Sequence, residues 1–493
     1  MKRQRLGMGT DAWIRRALLA LGAGLLSACA TLPPHPKAAP APLGQAQLGL
    51  SGDAFRPAPA DWWRELGDAQ LDQLMAAALS DNPRLAEANA RWQQALAQAA
   101  AADAAREPDA NFKASEERAK VPSGFGPTLL GGQSIWLGSI GASLSWDPDL
   151  SGERAEQSSA AHRLALAADM DQAEARLLLS GSVVQAYLQL DRAYALEDIA
   201  ADTQGQRENI AQITRHRVAA GLDTRVELRE AEGDVPQAHL ALLQAQAAQL
   251  LAKHELAALV GRGADYAATI HRPQLNVGDL LSLPQTLPIN LLGRRPDVIA
   301  ARQRIAAADA ERLAARAAFY PSVNLSALVG FASVSLSNLI SAESFGYGAS
   351  PAISLPIFDG GRLRAQYGDA QAELVEAIDS YDQVVLGAVR EAADQITQIA
   401  SLGEQQQQQT QWLQASQEAY RLDEERYRAG LASYLSVLNA ETDVLTARRT
   451  AVDLHNQRAS ARVALLIALG GSFEPPRAVS ATAALHHTTS IEN

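Results

Sequence analysis

RVAAGL at residues 217–222 and RYRAGL at 426–431 open two stretches that run in register, without a gap, to Gly261 and Gly470. Ala231, Glu232, Asp234, Val235, Ala238, Ala252, Leu256 and Gly261 of the first recur as Ala440, Glu441, Asp443, Val444, Ala447, Ala461, Leu465 and Gly470 of the second. Such self-similarity marks a tandem duplication, so the architecture is one unit written twice. Upstream of each AGL lies a long stretch with no proline, 151–221 and 360–430. At 1.5 Å per residue each predicts a helix of about 105 Å, longer than any globular core requires. The glycine of AGL offers a left-handed cap at which the chain can reverse.

Further out, the return arm 223–261 predicts a helix of about 58 Å. Residues 82–107 carry an alanine-rich helical pattern that stops at Pro108, and 295–320 carry another that stops at Pro321. Pro83 and Pro296 sit where a first helical turn tolerates proline. The return arm and this helix, placed end to end, match the long one. After each of these helices the period changes to two. Val323, Leu325, Ala327, Val329 and Phe331 alternate with small or polar residues, as do Phe345, Tyr347, Ala349, Ile353 and Leu355. In the first copy Trp136, Ile140, Ala142, Leu144 and Trp146 do the same, whereas the partner stretch 110–116 alternates weakly. Strands of this length with one greasy and one polar face suit a transmembrane barrel. A soluble sandwich with one wet face fits the same pattern. Four strands cannot close a barrel of useful width, so a barrel calls for several chains.

Composition agrees with long, closely packed helices: 47% of residues are hydrophobic but only 5% aromatic, with alanine supplying much of the apolar share. The first 28 residues hold Lys2, Arg3, Arg5, Arg15 and Arg16 against one acid. The remainder has 38 basic and 54 acidic residues, a net charge of −16, the wrong sign for a nucleic-acid binder. The apolar run Ala17–Leu26 is too short to span a bilayer and reads as an export signal, residues 1–28. Cys29 is the single cysteine, so an internal disulfide is excluded. Residues 29–60, rich in Pro and Ala, read as a tether.

RRPDVIAARQRIAAADAERLAARAAFYPSVNL at 294–325, ISLPIFDGGRLRAQ at 353–366 and RYRAGLASYLSVLNAE at 426–441 resemble the TolC-like outer-membrane factors, in particular the lipidated OprM and NodT branch. DWWRELGDAQLDQLMAAALSDNPRL at 61–85 resembles the start of their mature domain. LSAC at 26–29 resembles a bacterial lipobox, and Ala30, where Asp would signal inner-membrane retention, points to the outer membrane. The resemblance implies a mainly α fold with a small transmembrane β part: a homotrimer with a twelve-stranded barrel continued by a helical tunnel through the periplasm. It also implies a periplasmic adaptor and an inner-membrane pump as partners, outer-membrane lipid around the barrel, and a covalent lipid on Cys29 as the only attached group. Residues 61–261 would form the first repeat, with strands at about 109–147, and 293–470 the second, with strands at about 322–356. Residues 262–292 and 471–493 would wrap the tunnel's equator.

In such a duct the residues just past the AGL turns close the periplasmic aperture. The resemblance assigns Glu227 and Tyr427 to it, together with Ser436 and Asn439, where relatives often show an acid. Three like charges in a narrow throat favour cation binding or dilation. The plainer readings are a solvated helix face for Glu227 and a helix–helix contact for Tyr427. Gly221, Leu222, Gly430 and Leu431 are the expected adaptor-contact turns, or simple helix caps. Asp359-Gly360-Gly361 reads as a strand-to-helix turn, since no Lys-Ser or Lys-Thr follows to make a phosphate loop. No HExxH or other metal spacing occurs among nine histidines, and no catalytic constellation is present. The expected function is passive export of solutes delivered by a pump. The alternatives are the outer-membrane component of a type I secretion system and a coiled-coil periplasmic adaptor lipoprotein.

Overall fold

The computed structural model describes residues 40–44, 47–120, 122, 132, 134–276 and 283–474. The expectations for residues 1–28, Cys29, the first part of the tether (to residue 39), residues 277–282 of the expected equatorial segment and the tail beyond residue 474 fall outside them.

The first copy contributes α1 (Ala69–Asp81), α2 (Pro83–Ala104), β1 (Asp109–Lys120), β2 (Ser134–Trp146), α3 (Glu153–Ala219) and α4 (Arg225–Leu259). The second contributes α5 (Pro296–Ala317), β3 (Ser322–Ser333), β4 (Phe345–Ser354), α6 (Arg362–Arg428) and α7 (Tyr434–Ala468). Counterpart helices agree in length: α2 and α5 have 22 residues each, α3 and α6 have 67, and α4 and α7 have 35. Sixty-seven residues make a rod of about 100 Å. Each rod starts at an aspartate: Asp149 accepts from the backbone N–H of Ala155 at 2.7 Å, and Asp359 from Leu363 at 2.8 Å. Basic residues in the last turns, Arg217 in α3 and Arg426 and Arg428 in α6, complement the negative helix ends.

The chain divides into two compact units. One takes in Gln93–Ala167 and Arg302–Ser380 and contains the sheet, an antiparallel meander in the order β1-β2-β3-β4. Phe112, Ala142, Val329 and Tyr347 lie in one cross-strand row, and Ala114, Ile140, Phe331 and Phe345 in the next on the same face. Lys113, Gly141, Gly330 and Gly346 form a row on the opposite face, which also carries Ser115, Ser139, Ser143, Ser326 and Ser350. Thus one side is apolar and the other small or polar. β1 is longer than its pattern predicts, running to Lys120 in unbroken register with β2. Its charged residues hide the alternation, but the ladder to a strongly patterned neighbour supplies the backbone hydrogen bonds all the same.

The other unit takes in Leu43–Trp92, Ala168–Ala301 and the chain from Tyr381 onward. Its core joins Trp62, Leu71 and Met75 to Tyr187 of α3, Leu256 of α4 and Leu466 of α7. Asp68 caps α1 by accepting from Gln70 N at 2.9 Å, and it also accepts from Gln274 N and Tyr187 Oη, both at 2.7 Å. The segment after α4 is fastened further where Asn276 N donates to Leu66 O at 2.9 Å.

Candidate functional site: two capped turns and their cross-link

The turns between α3 and α4 and between α6 and α7 close in the same way. Leu222 N donates to Arg217 O at 2.9 Å and Gly221 N to Val218 O at 3.0 Å; Leu431 N donates to Arg426 O at 2.7 Å and Gly430 N to Tyr427 O at 3.0 Å. This pair of bonds defines a Schellman cap, whose left-handed residue is Gly221 (φ 74°) in one turn and Gly430 (φ 78°) in the other. Space around Gly221 is open, so the backbone angle alone demands glycine there. Leu222 and Leu431, 65% and 72% exposed, project at matching places.

The helices that leave the turns are capped differently. Thr224 accepts from Glu227 N, and the Glu227 carboxylate accepts in return from Thr224 N, a complete capping box. In the second copy Ser433 accepts from Ser436 N at 3.3 Å, and serine at that position leaves the box half made. Glu227 and Ser436 are therefore equivalent third residues of α4 and α7, with Asn439 exposed one turn further along.

A buried cross-link joins the two hairpins. Arg217 of α3 grips Asp223 with two bonds of 2.7 and 2.8 Å, and its third nitrogen donates to the carbonyl of Tyr427 at 2.7 Å. The Tyr427 hydroxyl donates to the same Asp223 at 2.7 Å and lies 2.9 Å from Thr214 Oγ1, while the guanidinium stands 4.5 Å from the Tyr427 ring centroid. Tyr427 is only 1% exposed. Burial pushes its phenol up to about 12, with the Asp223 carboxylate adding to the rise, and Arg217 holds Asp223 below the usual carboxylate range. Tyrosine thus stays a neutral donor and aspartate a charged acceptor at any physiological pH.

Further along the hairpins a second layer repeats the chemistry. Arg207 donates to Asp234 at 2.9 Å, Tyr434 donates to the same carboxylate, and Arg207 Nε lies 3.1 Å from Glu441 Oε2. That last approach is an ion pair without hydrogen-bond alignment, since neither Glu441 oxygen has a hydrogen-bond partner. Ile210, Ala231 and Val437 pack around the two tyrosines. Among the residues expected at the aperture, Tyr427 enters this cross-link; Glu227 and Ser436 serve caps. Arg217, Asp223, Arg207, Asp234, Tyr434 and Glu441 carry the rest of the network. Arg217, Asp234 and Glu441 recur within the duplicated stretch as Arg426, Asp443 and Glu232, and that recurrence was the signal in the sequence that pointed toward any of them. Among the described residues no cluster of three His, Cys, Asp or Glu is arranged to hold a metal.

Comparison with known proteins then fixes the lineage. The profile described as "Outer membrane efflux protein" matches residues 74–262 and again 287–471, once for each copy. The chain belongs to the outer membrane efflux protein family. It is 38% identical over 333 residues to the fusaric acid resistance protein FusA of Burkholderia cepacia, a match covering 67% of this chain and 63% of FusA. It is 31% identical over 466 residues to the pyoverdine export outer membrane protein OpmQ of Pseudomonas aeruginosa, covering 92% and 96%. The crystal structure of the outer membrane protein VceC of Vibrio cholerae superposes with a TM-score of 0.80 at 34% identity, covering 85% of this chain and all of VceC. Membership of the efflux protein family makes this chain an outer-membrane export channel that extends into the periplasm. The family is one of transport ducts, not of enzymes.

Proposed function

We propose that three copies of the chain assemble into one efflux duct, anchored by a lipid on Cys29, whose periplasmic mouth is built from the two capped turns. The observation that carries this reading is the sheet. It has four strands, an apolar face, and two outer strands, β1 and β4, whose far edges have no partner among the described residues. An unpaired edge in hydrocarbon leaves each N–H and C=O unsatisfied at several kcal/mol, and only closure removes the edge. Three copies bring twelve strands, enough to close around a lumen lined by the serine- and glycine-rich face.

At the mouth, the Arg217–Asp223–Tyr427 cross-link and the Arg207–Asp234–Tyr434 layer beside it are contacts that must part for the hairpins to separate. Glu227, Ser436 and Asn439 would line the throat under threefold symmetry. Gly221, Leu222, Gly430 and Leu431 would present the contact surface for a periplasmic adaptor that couples the duct to an inner-membrane pump. Relatives named for fusaric acid resistance, pyoverdine export and cation efflux support small solutes as the cargo. Protein extracted from outer membranes is expected to migrate as a trimer in detergent before boiling and to conduct ions in planar bilayers. A detergent-insensitive monomer without conductance would overturn the reading.

A further inference from the structure

On the apolar face of the sheet, the connection between β3 and β4 folds back across the strands. The methyl groups of Leu339 stand over Gly138 of β2, 3.3 Å from where a Cβ would be, and Ile340 follows, 79% exposed. Together with Phe112, Phe331 and Phe345 it walls a notch of about 290 Å³ whose floor is Ile140, Ala142 and Val329. Small residues on the floor and aromatic ones at the sides are the opposite of an evenly filled surface. A recess lined by carbon gains nothing from water, and hydrocarbon fills it with dispersion contacts.

The same face ends in cations. Arg118 stacks over Trp136 at 5.3 Å, in the row four residues beyond Ile140, and Lys120 lies in the next row out. Neither is ion-paired among the described residues. Glu116 occupies the row between Trp136 and the notch, so the two cations and not the carboxylate stand outermost. Four residues of strand span about 13 Å, within the ~15 Å of hydrocarbon that one leaflet supplies. Chain order places this edge away from the long helices: β1 leaves α2 and ends at Lys120, and β2 returns from Ser134 toward α3.

We propose that the notch and the basic rim hold one phosphorylated lipid of the outer leaflet, with an acyl chain between Phe112 and Ile340 and a phosphate on Arg118 and Lys120. The proposal rests on the outer-membrane placement of the sheet. The apolar recess selects a chain, the stacked guanidinium offers paired donors to phosphate oxygens, and the aromatic ring beneath it sits at the level where headgroups begin.

The test uses the full-length protein purified from outer membranes in mild detergent. Native mass spectrometry should find a phosphorylated lipid retained at one per protomer. After delipidation, bis-phosphorylated lipid A should rebind at least tenfold more tightly than its dephosphorylated form, and inorganic phosphate alone should not bind. R118Q/K120Q and, separately, A142F should each lower retention at least tenfold, the first by removing the phosphate contacts and the second by filling the floor. Equal retention by R118Q/K120Q, equal affinity for dephosphorylated lipid A, or binding of inorganic phosphate alone would overturn the proposal. Planar-bilayer conductance of the same preparations separates the two readings: conducting protein without a retained lipid refutes the lipid site and leaves the duct intact, whereas loss of conductance in the wild type strikes at the duct itself.

Discussion

Glu441 is 1% exposed, and the arginine beside it already serves Asp234. Burial pushes its carboxyl up to about 7 from an ordinary 4.5; Arg207 pulls the other way, and Asp234 and Glu424 add to the rise. The folded protein therefore keeps a proton that the unfolded chain releases near pH 4.5. Between about pH 4.5 and 7 the native state binds more protons, so stability falls as pH rises, by about 3 kcal/mol per protomer once the group is ionised. Glu441→Gln keeps the shape of the protonated acid and cannot ionise. Its melting temperature is expected to fall less steeply than the wild type's from pH 5 to 7.5, with Glu174, which burial likewise pushes up to about 7, keeping its own share of the decline, and to exceed the wild type at pH 7.5. A variant that keeps the wild-type decline would place the titration on another group. Tyr427, one layer nearer the turn, has no such sensitivity, because its phenol titrates only near 12.

At the scale of elements, the two copies use the same letters differently. Asp234 of α4 pairs with Arg207, while its counterpart Asp443 lies exposed on α7; Glu441 is buried, while its counterpart Glu232 meets Arg215 and Arg229 near the surface. The caps diverge too, complete at Thr224 and Glu227 and half made at Ser433 and Ser436. Thr224→Ala removes the acceptor of that box and should cost about 1–2 kcal/mol, read as faster hydrogen exchange in the first turn of α4. Unchanged exchange there would show that tertiary packing alone holds the turn. The long helices and their turns were legible in the sequence because proline-free length, an AGL cap and duplication are local signals. β1 was only half legible: Lys113, Glu116, Glu117 and Arg118 interrupt its alternation, and its ladder to β2 is a long-range fact. Of the cross-link only Tyr427 was singled out in the sequence, through the family resemblance. Arg217 and Asp223 look like surface charges until the fold shows that Tyr427, 204 residues beyond Asp223, closes over them.

For the whole molecule, the sheet and the helical segments make demands that a single chain cannot meet alone. Two open strand edges and an apolar face call for further copies and a bilayer, and a lipid on Cys29 would hold each copy at the membrane while the barrel closes. Cys29→Ala should abolish labelling by palmitate and slow the appearance of detergent-resistant trimer, with conductance of the trimer that does form unchanged. Persistent labelling would exclude Cys29 as the acylated residue.

The matched helix lengths, 22, 67 and 35 residues in both copies, have a consequence for how such a chain can change over time. Residues along a rod are phased by about 100° each, so deleting one residue from α3 turns every later side chain by roughly a quarter of a circle. Arg207 and Arg217, with the α4 partners that turn with them, would then face away from Glu441 and Tyr427 of the second copy. Substitutions can accumulate freely in either copy, but gains and losses of length are permitted only in near-whole turns, and the two halves keep time with each other long after their letters have drifted apart.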